Sequence, residues 1–262
     1  MGLVYVANLV SNNVSVIDTM THRVIATIQV GDLDNSVGMA ITPDGKLLYV
    51  ANGFDNNVSV IDTKTQHVIA IVAVGRDPDN MVITPDGKTV YVANENETSI
   101  SVIDTTTHRV IATVQVGNLD LSVGMAITPD GKLLYVANAL DDNISVIDTK
   151  THRVFATVPV GNNPDNMVIT PDGKTVYVAN EGEFSEPMSV SVINTTTHRV
   201  IASVQVGNLD FSVGMAITPD GKLLYVTNRG DNNVSVINTK IHRVIATVPV
   251  GVGPSAIVIT PN

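Results

Sequence analysis

Apolar positions in this chain fall in short runs, each closed by a turn, and the runs recur. In Val58-Ser59-Val60 apolar and polar residues alternate with a period of two, which marks a strand with one packed face. Around it the pattern predicts a set of four strands over residues 39–42, 47–51, 58–61 and 68–74. Between the first two, Pro43-Asp44-Gly45 reads as a tight turn, because proline presets φ and glycine accepts a left-handed backbone. The 3.6-residue periodicity of an amphipathic helix is found nowhere, so an all-β fold is expected.

Repetition turns this local pattern into an architecture. Tyr-Val-Ala-Asn or Tyr-Val-Thr-Asn begins at Tyr5, Tyr49, Tyr91, Tyr135, Tyr177 and Tyr225. Each unit continues through Ser-Val-Ile-Asp/Asn, a Val-Ile-Ala-Thr-like strand, a Val-Gly pair and Ile-Thr-Pro-Asp-Gly-Lys. Unit lengths of 42 to 48 residues with four short strands apiece are those of propeller blades. The chain starts in a second strand (residues 3–5) and stops in a first strand (residues 257–261). The expectation is therefore a closed six-bladed β-propeller of four-stranded antiparallel blades, one of them shared between the N- and C-termini, forming a single domain over residues 1–262. Long and short units alternate, as in residues 116–125 and 160–167, so three two-blade pairs make up the ring.

The residues Tyr225-Val226-Thr227-Asn228, Ser59-Val60-Ile61-Asp62 and Thr84-Pro85-Asp86-Gly87 make the chain resemble the YVTN-type β-propeller repeat family along essentially its whole length. That resemblance implies kinship with archaeal surface-layer-type and exported bacterial proteins, and hence an extracellular or cell-surface location. Many members have seven blades, so six departs from the family pattern.

Composition narrows the chemistry. With no cysteine there are no disulfides, thiolate metal sites or cysteine nucleophiles. A net charge of −10 argues against nucleic acid, which is bound chiefly through Lys and Arg. No run reaches the length of a membrane helix, and the N-terminus lacks the basic and apolar regions of a signal peptide. The charge is also sorted by position. Turns joining the first to second and third to fourth strands hold thirteen of the fifteen basic residues and nine of the 25 acids. The opposite loops keep sixteen acids against Arg76 and Arg229, a net of 2 − 16 = −14. Such a field concentrates cations within a screening length of about 8 Å at physiological salt.

Those acidic loops are also where the units differ, so the binding face is expected there, on Asp55, Glu95, Glu97, Asp141, Asp142, Glu181, Glu183, Glu186 and Asp231. Residues leading into the innermost strand give a cation candidate: Asp79 and Asp165 in short units, Asp34, Asp120 and Asp210 in long ones, with Ser36, Ser122 and Ser212 following. Oxygen ligands of this kind suit Ca²⁺. Set against it is a structural reading, in which Asp and Asn bond to backbone amides, and the third short copy carries Ser255-Ala256 instead. The histidines His22, His67, His108, His152, His198 and His242 recur on hairpins and read as solvated turn residues rather than metal ligands. Gly-x-Ser-x-Gly, His-Glu-x-x-His and phosphate-cradling loops are absent. The sequence thus favours a non-catalytic, monomeric binding or scaffold module without a cofactor, facing a protein, glycan or cationic ligand. The alternatives are a metal-assisted hydrolase or lyase at the channel mouth, and a structural surface-layer tile or engineered scaffold.

Overall fold

The structure, a computed structural model, describes residues 2–33, 38–119, 123–182, 188–209 and 213–260. Its strands form six successive antiparallel sheets. Sheet 1 holds β1 (Leu3–Asn8), β2 (Asn13–Asp18) and β3 (Arg23–Gln29). Sheet 2 holds β4 (Met39–Ile41), β5 (Leu47–Asn52), β6 (Asn57–Asp62) and β7 (His67–Ala73). Sheet 3 follows with β8 (Pro78–Ile83), β9 (Thr89–Asn94), β10 (Ser99–Asp104) and β11 (Arg109–Gln115). Sheet 4 is β12 (Met125–Ile127), β13 (Leu133–Asn138), β14 (Asn143–Asp148) and β15 (Arg153–Pro159). Sheet 5 is β16 (Pro164–Ile169), β17 (Thr175–Asn180), β18 (Ser189–Asn194) and β19 (Arg199–Gln205). Sheet 6 is β20 (Met215–Ile217), β21 (Leu223–Asn228), β22 (Asn233–Asn238) and β23 (Arg243–Pro249).

Every sheet is a simple meander, so alternate connections fall at opposite ends of its strands. Sheet 1 has three strands; residues 250–260 carry no assigned strand, and 261–262 lie outside the described residues. Two compact units divide the chain: Met1–Gln115 contains sheets 1 to 3, and Val116–Asn262 contains sheets 4 to 6.

Within each unit the core lies between successive sheets. Val14 and Val16 of sheet 1 pack with Leu48, Val50 and Ile61 of sheet 2. Tyr49, Ala51, Val58 and Val60 on the other face of sheet 2 pack with Val90, Val92 and Ile103 of sheet 3. Sheets 4 and 5 repeat this through Tyr135, Ile144 and Val176, and sheets 5 and 6 through Tyr177, Val190 and Leu224. Central strands therefore bury both faces, which is why they read as runs such as Leu-Leu-Tyr-Val-Ala. β-Branched side chains suit this pleated, two-sided packing.

Two features depart from simple alternation. In each sheet the last two strands shift register by one residue, as between Val60 and Ile61, leaving Ile69 as the extra residue on β7. The same bulge places Ile25, Ile111, Phe155, Ile201 and Ile245 on the outer strand, each roughly half exposed. A bulge twists a free edge and so discourages pairing with another chain. At the inner strands, Gly38 abuts the backbone carbonyl of Asp79, and Gly124 that of Asp165. A Cβ at either glycine would overlap that carbonyl, so only glycine allows the sheets to approach.

Candidate functional site

The acidic ends of the sheets are built from two loops that meet: the connection between the second and third strands, and the Val-Gly exit after the fourth strand. In sheet 2 the first of these is Gly53-Phe54-Asp55-Asn56. Its last residue, Asn56, adopts a left-handed backbone (φ 54°), as do Asn12, Thr98, Asp142 and Asn232 at the same place. From there Asn56 receives the N–H of Val74 on its carbonyl (3.1 Å) and that of Asp77 on Oδ1 (2.9 Å). Asp142 does the same, accepting Val160 N–H (3.0 Å) and Asn163 N–H (2.8 Å). Asn and Asp are favoured there because a short polar side chain tolerates the left-handed region and bonds locally.

The residue before it clamps the exit loop of the preceding sheet. Asp55 Oδ2 accepts the N–H of Asp32 (2.8 Å), Asp141 Oδ2 that of Asn118 (2.7 Å), and Asp231 Oδ2 that of Asn208 (2.8 Å). Asp141 also accepts Asn118 Nδ2 at 2.7 Å, and these bonds hold its carboxyl below the usual carboxylate range, the backbone bond contributing most. Beneath the clamp sits the asparagine that ends the Tyr-Val-Ala-Asn run. Asn138 is fully buried and donates to Asn143 Oδ1 (2.6 Å) and Ser145 Oγ (2.8 Å), while its Oδ1 accepts Gly117 N–H at 3.0 Å. Asn52, Asn94, Asn180 and Asn228 make the equivalent donations.

The expected binding-face residues thus divide. Asp55, Asp141, Asp142 and Asp231 are exposed but also hold backbone amides. Glu97 faces Arg76 Nε at 3.6 Å, an exposed ion pair of small energetic consequence. Glu95 lies in a 3₁₀ turn and its N–H reaches the carbonyl of Asp77 (3.0 Å). Glu181 is buried, 6% exposed, and accepts Asn163 Nδ2 at 3.2 Å. Glu183 and Glu186 lie outside the described residues.

Of the cation candidates, Asp34, Asp120 and Asp210 lie outside the described residues, as do Ser36, Ser122 and Ser212. Asp79 and Asp165 sit in β8 and β16, within bulges between Pro78 and Met81 and between Pro164 and Met167. The neighbouring Asn80 and Asn166 accept the N–H of Met81 and Met167, each at 2.7 Å. Among the described residues no three His, Asp or Glu side chains gather as metal ligands.

At the opposite ends, the Thr-Pro-Asp-Gly-Lys turn is the same device throughout. Thr42 Oγ1 donates to Asp44 Oδ1 (2.7 Å) and accepts Leu47 N–H (3.0 Å), and Thr84, Thr128, Thr170 and Thr218 repeat it. His22 and His67 are exposed, as their hairpin positions suggested, but His108, His198 and His242 are not simply solvated turn residues. The ring Nδ1 of His108 lies 3.4 Å from the hydroxyl of Tyr49 in the neighbouring sheet, that of His198 3.3 Å from Tyr135, and that of His242 3.0 Å from Tyr177. Burial pushes these tyrosines up and pushes His198 and His242 below the usual imidazole range. In sheet 2 the left-handed position is taken by Gln66 and His67 follows it, so Tyr5 of sheet 1 has Thr63 and not a histidine beside its hydroxyl.

Residues 33–134 match a family described as YNCE-like beta-propeller, and residues 141–216 match a Choice-of-anchor I domain. The chain also superposes on Kuenenia stuttgartiensis hydrazine synthase with a TM-score of 0.76 and 27% identity, over 97% of this chain and 85% of that one. This chain is a six-bladed β-propeller built from Tyr-Val-Ala/Thr-Asn repeats. A functionally unknown protein from Desulfotomaculum acetoxidans DSM 771 shares the propeller's fold at 18% identity and a TM-score of 0.72, over 98% of this chain and 86% of that one. No curated protein matches the propeller's sequence. Among the described residues no helix is long and apolar enough to cross a membrane.

Proposed function

We propose that this propeller is a non-catalytic binding module, a single domain over residues 1–262 that acts as a monomer outside the cell or at its surface. Its acidic loop ends receive a protein, glycan or cationic partner. The observation that carries this reading is the double use of the loop carboxylates. Asp55, Asp141 and Asp231 are fixed by backbone amides on one oxygen, yet each remains exposed. Amide bonds of this kind hold the carboxylates in place, so the negative field is fixed in position. Preorganised charge of this kind steers and orients a partner at little ordering cost.

The test separates charge from structure. Asn in place of Asp keeps an acceptor oxygen for the amide and removes the charge. Binding of a fluorescent octalysine peptide is measured by anisotropy at low and high salt, on the native chain and on Asp55→Asn/Asp141→Asn/Asp231→Asn. Binding that weakens with salt and falls several-fold in the triple variant is expected. Equal affinity in both proteins, or no salt-dependent binding at all, would overturn the reading.

A further inference from the structure

The repeats that build the acidic ends are nearly copies, so a place where they diverge together is informative. At the second position of the loop between second and third strands stand Val10, Phe54, Asn96, Leu140 and Gly230. At the position after the exit glycine stand Asp32, Arg76, Asn118, Asn162, Asn208 and Val252. Phe54 and Arg76, each unlike its counterparts, line one cavity of about 390 Å³ together with Gly53, Asn56, Asp77 and Asn96. All six residues belong to the Met1–Gln115 unit. The cavity is at the small end of the range for ligand pockets.

Its walls are held by the loop frame together with Asn96. Asn56 fixes the N–H of Asp77, Asp77 accepts a short hydrogen bond from Asn96 Nδ2, and Asp77 itself has a left-handed backbone (φ 58°). Phe54, 62% exposed, contributes an open aromatic face. Around that face are a guanidinium, a carboxylate and two amides, which offer donors and acceptors side by side. A purely apolar ligand would strand these polar groups, and an anion would be repelled by the surrounding acids. The ligand that uses both parts is neutral, with one face of C–H groups to cover an aromatic ring and hydroxyls around its rim.

We infer that the Phe54–Arg76 cavity is a saccharide subsite, taking a neutral pyranose ring against Phe54 with its hydroxyls shared among Arg76, Asp77 and Asn96. This assignment rests on the binding-module reading and names its ligand class at one place. Methyl glucoside, galactoside, mannoside and N-acetylglucosaminide serve as probes in saturation-transfer NMR and titration. At least one of them receives saturation on its ring C–H protons. Its affinity falls tenfold or more in Phe54→Ala, falls several-fold in Arg76→Ala, survives in Phe54→Tyr and is unchanged in Leu140→Ala.

Phe54 is exposed, so its variants keep the native circular dichroism. Absence of transfer to all four pyranosides, or binding that survives Phe54→Ala, overturns the subsite. The octalysine titration on the same samples distinguishes the two failures. Salt-dependent peptide binding without sugar binding removes only the saccharide assignment, and loss of both removes the binding-module reading as well.

Discussion

The two ends of each blade solve the same problem, closing strands with short connections, and solve it differently. At the basic end one turn serves, because Thr42 and Asp44 satisfy the turn from within. At the acidic end the amides of one sheet's exit loop are satisfied by the next sheet's carboxylate, as Asn118 is by Asp141. A self-contained turn leaves no position free to vary. A shared frame spends only the third and fourth loop positions, and the first two can then change without loss of fold. That is where Gly53-Phe54, Glu95-Asn96, Ala139-Leu140 and Arg229-Gly230 diverge.

The comparison can be broken most forcefully at the glycines that let sheets approach. Gly124→Ala drives a Cβ into the carbonyl of Asp165, and should cost about 3 kcal/mol in denaturant unfolding. A cost near zero would mean that the inner strands are less tightly apposed. Next comes the asparagine beneath the frame. Asn138→Ala removes two donated bonds and strands Asn143 and Ser145, a loss of about 2 kcal/mol by the same measurement.

The third effect belongs to the basic end and depends on pH. His198 and His242 titrate below their unfolded value, chiefly through burial. The folded state therefore binds fewer protons than the unfolded one in that window. Their contribution is whole above the ordinary imidazole pKa of about 6.5 and is lost as pH falls through the lowered folded value. The turn aspartates act in a lower window. Asp44 is held at about 2 mainly by Lys46, and Asp130 and Asp220 at about 2 mainly by Thr128 and Thr218. Their contribution is whole above about 3.9 and is lost as pH falls towards those values. Two successive losses are expected in a pH series of unfolding midpoints. His198→Gln/His242→Gln should shrink the upper one and leave the lower one unchanged, with His152, likewise lowered by burial, keeping the remainder of the upper loss; glutamine already occupies the left-handed position at Gln66.

Much of this was legible in the residues. The strands expected over 39–42, 47–51, 58–61 and 68–74 form as β4 to β7 with ends shifted by one residue, because alternation and turn chemistry are local signals. What stayed hidden acts between blades. Tyr135 and His198 are 63 residues apart and meet only once two sheets are stacked, so His198 looked like a solvated turn. The second role of the loop acids was hidden similarly: the amide partners of Asp55 and Asp141 lie on the preceding sheet's exit. One signal was available. Asp or Glu recurs at the third loop position in Asp55, Glu97, Asp141 and Asp231 while the positions before it vary, and constancy amid variation marks a frame.

The smallest effect tests that frame most finely. Asp141→Ala should cost about 1 kcal/mol or less and Asp141→Asn hardly anything, since the exposed carboxylate contributes through its amide bond more than its charge. Amide hydrogen exchange at Asn118 is the measurement that reads the claim directly. In the native chain this N–H, although on an exposed loop, should exchange slowly. It should stay slow in Asp141→Asn and become fast in Asp141→Ala. Fast exchange in the native chain, or equal protection in all three proteins, would contradict a frame shared between blades.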